Sequence, residues 1–288
     1  MAETQPYQRL LCAIDTPEME AANRVATALK GAVGGVKLGK EFFTANGPEG
    51  VRRVARAGLP VFLDLKFHDI PNTVAGAVRA AAKLGCFMMT IHASGGAAMI
   101  REAVKAADEA GKAGKRPLIV AVTVLTSLGE GDLPTIGQSG PIEAQVLRLA
   151  KLAKDNGADG VVASPKEAAA LRAALGPEFK LVVPGVRPKG IALGDQIRVT
   201  TPAEAIGAGA DWLVIGRPIT GAPDPRAAAR AIVYDLAGHS VPRAAAPAAR
   251  CSSRSRSAAA IRATPSSPRW PAARITSGSC STRPRPAA

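Results

Sequence analysis

Two textures alternate along the chain between residues 10 and 237. Short apolar runs rich in β-branched residues fall at 10–14, 35–38, 61–65, 87–91, 118–124, 160–163, 181–183 and 212–215. Between them lie Ala-, Leu-, Arg- and Glu-rich stretches whose apolar positions recur at helical spacing, at 18–30, 48–57, 73–84, 95–111, 142–156, 165–175, 202–208 and 225–236. A strand that is apolar at every position must be covered on both faces, as parallel strands flanked by helices are. Eight such units predict an α/β chain folded as a (β/α)8, or TIM, barrel rather than an open doubly wound sheet.

Helix-boundary signals agree with this parse. Asp15-Thr16-Pro17-Glu18, Ser164-Pro165-Lys166-Glu167 and Thr201-Pro202-Ala203-Glu204 each place capping residues and a proline at a helix start. Gly58, Gly85, Gly157 and Gly209 stand where a left-handed helix terminator is expected.

The pattern stops near residue 237, giving a barrel domain over 1–237 and a tail over 238–288. The tail holds seven Pro, ten Ser and nine Arg, with no Lys, Asp or Glu. It lacks apolar periodicity, so little burial is available to offset its ordering entropy, and it reads as disordered. Three readings of it stay open: a basic arm for RNA or a membrane surface, a dispensable extension, and translation of an altered frame in a GC-rich gene.

The tail also explains the charge. The whole chain of 288 residues carries a formal +14, but residues 1–237 carry only +5. A nucleic-acid grip by the body is therefore not supported, and nucleic acid is not an expected partner. Hydrophobic residues make up 47%, enough for a large core. No apolar run reaches the length of a membrane helix, and the first fifteen residues do not resemble a secretory signal. Four scattered cysteines (Cys12, Cys86, Cys251 and Cys280) lack C-x-x-C spacing and suit a reducing cytoplasm.

In a barrel of this kind reactive side chains gather where strands end. Asp15 ends the first strand, Lys37 the second, and Asp64-Leu65-Lys66-Phe67-His68-Asp69 the third. Thr126-Ser127 follow the fifth, Gly185-Val186-Arg187 the seventh, and Gly216-Arg217 the eighth. Carboxylates and cations thus alternate around one mouth. Asp64 and Lys66 are two residues apart, so on an extended strand both side chains point the same way. An ammonium among carboxylates is held in its charged form, which makes it a charge clamp and proton donor rather than a Schiff-base nucleophile.

The glycine–arginine pairs after strands 7 and 8 suit phosphate, through backbone N–H groups and charge-assisted bonds. The intervening 188–196 reads as a lid with glycine hinges. His92 is expected to be structural and His68 to play a support role; Met88-Met89 and Phe42-Phe43 read as core. No metal-ligand spacing is found, and the glycines of 31–39 lack the strand–G-x-G-x-x-G–helix order of a dinucleotide loop. The site is expected to be metal-free.

The run DLKFHDIPNTV at 64–74 resembles the signature of the orotidine 5′-phosphate decarboxylase family. Agreement continues through LCAID at 11–15, GVKLG at 35–39, VTVLTS at 122–127, VPGVRP at 183–188, GDQIRV at 194–199 and VIGRPI at 214–219. The resemblance implies a cofactor-free homodimer that converts orotidine 5′-phosphate to UMP. It implies Lys66 as proton donor in an Asp64–Lys66–Asp69 array beside Lys37, with Asp69 supplied across the dimer interface. It further implies that Asp15 and Lys37 hold the ribose and that Asp69, Ile70 and Thr73 reach the neighbouring subunit's nucleotide. Thr126 would contact the pyrimidine, and Arg187, Gln196, Gly216 and Arg217 the phosphate side. The tail departs from the family, which usually ends near 237. A Mg²⁺-dependent sugar-phosphate decarboxylase or synthase of the same superfamily is the alternative.

Overall fold

A computed structural model describes residues 5–188 and 200–238. Its core is a closed parallel barrel in chain order, β1 to β8. The strands are β1 (Leu10–Ile14), β2 (Gly35–Gly39), β3 (Val61–Phe67), β4 (Met88–His92), β5 (Leu118–Val122), β6 (Gly160–Val162), β7 (Lys180–Pro184) and β8 (Trp212–Ile215). The helices are α1 (Met19–Ala28), α2 (Lys40–Ala55), α3 (Pro71–Ala82), α4 (Gly96–Ala113), α5 (Ile142–Asp155), α6 (Ala168–Leu175), α7 (Pro202–Gly207), α8 (Arg217–Thr220) and α9 (Pro225–Ala237). The tail after 238 and most of the expected lid, 189–199 with Gln196, lie outside the described residues.

Strand periodicity separates two apolar layers. Leu11, Ala13, Phe62, Met88, Val120, Val182 and Val214 fill the barrel interior. Alternating with them, Leu10, Cys12, Ile14, Leu63 and Met89 face the helices in the larger outer cluster. The same parity places Lys37 beside Phe62 in register, and Asp64 two residues above Phe62. Burial of these charges is therefore set by strand register.

Beyond shifts of one or two residues, three boundary differences from the sequence reading stand out. Helix α2 begins at Lys40, not at 48, because two helical segments join across Gly47, whose φ is 58°. Gly47-Pro48 has the look of a start signal, and the aromatic pair before it weakens the helical pattern. The short α8 was not expected and directly follows Gly216. At α1 the cap is Glu18, without a side-chain bond; Asp15 turns to the barrel mouth instead. Ser164 and Thr201 do cap their helical turns, each in a reciprocal capping box. The four expected glycine terminators all have positive φ.

At the opposite end of the barrel, two Gly-Ala-Asp segments do a matching job. Asp159 accepts the Ile119 backbone N–H at 2.7 Å and both Arg116 contacts at 2.8–2.9 Å. Asp211 accepts the Leu181 N–H at 2.9 Å and Arg172 at 2.6 Å. Arg172 also donates to the carbonyls of Gly209, Gly176 and Phe179. Removing it leaves several half-buried acceptors unpaired. Arg172→Ala should therefore cost about 3 kcal/mol, discounted from a fully buried pair because both side chains keep some exposure. Urea unfolding measures this; a loss below about 0.5 kcal/mol would mean that water replaces the arginine without penalty.

Candidate active site

The mouth of the barrel holds a chain of alternating charges. The Lys37 ammonium lies 3.0 Å from Asp15 and 3.5 Å from Asp64. The Lys66 ammonium donates to both Asp64 carboxylate oxygens at 2.8 Å. Four residues on or just beyond β1, β2 and β3 thus form one array, Asp15–Lys37–Asp64–Lys66. Burial pushes the Asp64 carboxyl up, but Lys37 and Lys66, with hydrogen bonds from Lys66 and Thr90, outweigh it and hold it below the ordinary carboxylate value.

The pairing of Asp64 with Lys66 was expected, but its geometry was not. The expectation rested on two side chains sharing one face of an extended strand. Lys66 instead has φ of 52°, the one positive value outside glycine among the described residues. The β3–β4 register shifts here, from Leu63 opposite Met89 to Phe67 opposite Ile91. The backbone bulges and the lysine returns onto Asp64. Such a backbone costs on the order of 1–3 kcal/mol, which places strain at Lys66. Thr90 on β4 supports the bulge: its hydroxyl accepts the Lys66 N–H at 2.8 Å and donates to Asp64 at 3.0 Å. The sequence reading passed over Thr90, because a threonine within an apolar run looks like an ordinary strand residue.

The array borders a cavity of about 310 Å³, within the size range of small-molecule sites. Asp15, Lys37, Asp64, Lys66, Thr126, Arg187, Gly216 and Arg217 all line it. Its floor is apolar, formed by Ala13, Phe62, Val122, Val162, Val182 and Val214. A side chain at Gly216 would crowd Ala13 and Asp15, with its Cβ only 3.3 Å from the Ala13 Cβ. Arg187 is buried and donates to the Val186 carbonyl at 3.0 Å. Two arginines and the charged array thus line one cavity over an apolar floor.

Three expected residues lie elsewhere. Asp69, Ile70 and Thr73 are exposed beyond the end of β3, and none lines the cavity. The Asp69 carboxylate accepts the Ile70 N–H and makes no ion pair among the described residues. Ile70 is 67% exposed, unusual for an isoleucine beside a polar site. His92 stacks 5.3 Å from His68, tilted. Burial, then His68 and the nearby lysines, pushes its imidazole down to about 4, so it is neutral at physiological pH. That agrees with a structural role.

Comparison with known proteins gives consistent results. The model of the family described as "Orotidine 5'-phosphate decarboxylase / HUMPS family" matches residues 8–232. An orotidine 5′-phosphate decarboxylase of Paramagnetospirillum magneticum is 58% identical over 226 residues, 78% of this chain and 96% of its own. One from Anaeromyxobacter sp. (strain K) is 55% identical over 232 residues, 81% of this chain and all of its own. Among solved structures, orotidine 5′-phosphate decarboxylase from Lactobacillus acidophilus superposes with a TM-score of 0.71 at 39% identity, covering 79% of this chain and 98% of that one.

Proposed function

The chain belongs to the orotidine 5′-phosphate decarboxylase / HUMPS family, and from that premise we propose that it converts orotidine 5′-phosphate to UMP and CO₂ in pyrimidine biosynthesis. The observation that carries this reading is the Lys66 ammonium fixed on Asp64 at the edge of the cavity. Losing CO₂ from C6 of the pyrimidine leaves an electron pair on carbon with no π-system to spread it. A cofactor-free enzyme must meet that charge with fixed charges of its own.

Lys66 does so in two ways. Its ammonium attracts the electron pair as the C6–carboxylate bond breaks, and then passes a proton from Nζ to C6. The amine left behind regains a proton from water. Asp64 aims the ammonium and sets a negative charge where the substrate carboxylate must leave. Lys37 and Asp15 hold the ribose, Thr126 meets the base, and Arg187, Gln196, Gly216 and Arg217 grip the phosphate side. Binding energy from that remote phosphate is used at the reacting carbon.

The working unit is a homodimer. Asp69, with Ile70 and Thr73, projects away from its own cavity and completes the site of the partner subunit, which accounts for the exposed Ile70. The cytoplasm is its compartment. Among the described residues no helix is long and apolar enough to cross a membrane.

An absorbance assay tests the reading, since orotidine 5′-phosphate loses its extended chromophore on becoming UMP. Turnover should be equal with and without EDTA. Activity that vanishes in EDTA and returns with Mg²⁺ would favour the sugar-phosphate enzyme instead. The same assay separates body from tail. The family match ends at residue 232, so a chain ending at 237 should keep the kcat, KM and melting temperature of the full protein. Aggregation or lost activity on truncation would show that residues 238–288 are needed.

A further inference from the structure

Thr90 is fully buried in the middle of β4 and touches both reactive residues of β3 without lining the cavity. Its Oγ accepts the Lys66 backbone N–H at 2.8 Å and donates its one proton to Asp64 Oδ1 at 3.0 Å. A hydroxyl has one donor and two acceptor sites, so the two bonds do not compete. Together they close a small ring: the Lys66 backbone to Thr90, Thr90 to the Asp64 carboxylate, and that carboxylate back to the Lys66 ammonium at 2.8 Å.

The ring sits where the backbone most needs support. Lys66 has φ of 52°, and the bulge has taken it out of the regular β3–β4 register. A buried N–H left without a partner is costly, so the Thr90 hydroxyl stabilises this strained conformation over an extended one. We propose that Thr90 is a positioning residue for decarboxylation, setting the separation and aim of the Asp64 carboxylate and the Lys66 ammonium from behind. Lys37 on β2, 3.5 Å from the other Asp64 oxygen, cannot replace it, because it reaches neither Asp64 Oδ1 nor the Lys66 backbone. Neutral His92 lies further along β4.

The inference rests on the decarboxylase reading, and the test keeps the two separable. Thr90→Val preserves shape and removes both bonds; Thr90→Ser preserves both bonds and removes a methyl group. For each, kcat on orotidine 5′-phosphate, UMP affinity and the pH profile of kcat/KM are measured. Misaiming a catalytic group by about 1 Å can cost about a hundredfold, and kcat of Thr90→Val should fall by about that factor. UMP affinity should stay nearly constant, since the ribose and phosphate grips are untouched.

Thr90→Ser should recover kcat to within about threefold of wild type, because the same two bonds re-form. The acid limb of kcat/KM should move up in Thr90→Val and not in Thr90→Ser, because Asp64 loses a bond that favours its charged form while Lys37 and Lys66 remain. If Thr90→Val does not fold, Thr90→Ala against Thr90→Ser carries the same comparison. Turnover equal in the hydroxyl and hydroxyl-free variants, or kcat and UMP affinity falling together in both, overturns the proposal. A wild-type chain inactive on orotidine 5′-phosphate overturns the decarboxylase reading itself.

Discussion

Lys66→Ala should lose nearly all turnover while still binding UMP. The substitution removes at once the charge that meets the C6 electron pair and the proton that ends the reaction. General acid catalysis contributes about 10²–10⁴-fold and a fixed charge-stabilising donor about 10²–10³-fold, so the combined loss is about 10⁴–10⁷-fold in kcat. Uniform binding is carried elsewhere, by Asp15, Lys37 and Arg217, which also line the cavity. Calorimetry with UMP and the absorbance assay read the two quantities separately. A variant that keeps about a tenth of the wild-type rate has lost less than 1.4 kcal/mol of transition-state stabilisation, and Lys66 is then not the acid.

Asp69→Ala should also be nearly inactive, and mixing it with Lys66→Ala should restore activity to neither parent but to their heterodimer. Asp69 is exposed and unpaired by any lysine of its own chain among the described residues, five positions after Asp64 and beyond the strand end. Pro71 begins α3 just after it. In a two-fold dimer one heterodimer site takes Lys66 from one chain and Asp69 from the other, and is intact. Random exchange makes half the dimers mixed, and half of their sites whole, so roughly a quarter of all sites should recover. Mass spectrometry establishes that exchange is complete. Complete exchange with no recovered activity would mean that Asp69 serves its own subunit.

The barrel was legible because its strands are apolar on both faces and its helices on one, and because eight such units in about 230 residues fit a closed barrel better than an open sheet. The charged mouth was legible for a related reason. Asp15, Lys37 and Asp64 interrupt or end apolar runs, which marked them as the polar residues of their strands; only Asp15 lies at a strand end, whereas Lys37 and Asp64 stand within β2 and β3. What escaped the sequence was long-range. The left-handed Lys66 arises from a bulge that Thr90, 24 positions away, holds in place, and nothing local in Leu65-Lys66-Phe67 signals it. The Arg116–Asp159 and Arg172–Asp211 clamps likewise join residues distant in sequence. At α2, a true kink at Gly47-Pro48 looked like a beginning. Ile70 and Thr73 were placed at the site by resemblance alone, and Asp69 by resemblance and by its place just after the β3 cluster; all three are exposed and none lines the cavity of its own chain.

Chemical rescue of Lys66→Ala tests the central claim most directly, because it separates charge from proton. The truncated side chain leaves space beside Asp64 for a small ammonium ion. Ethylammonium supplies both the charge and an N–H, whereas tetramethylammonium supplies the charge alone. Turnover of orotidine 5′-phosphate by Lys66→Ala should rise with ethylammonium to a plateau and stay at its baseline with tetramethylammonium. Equal recovery with both ions, or none with ethylammonium while UMP still binds, would contradict a Lys66 ammonium that stabilises the carbanion and protonates it.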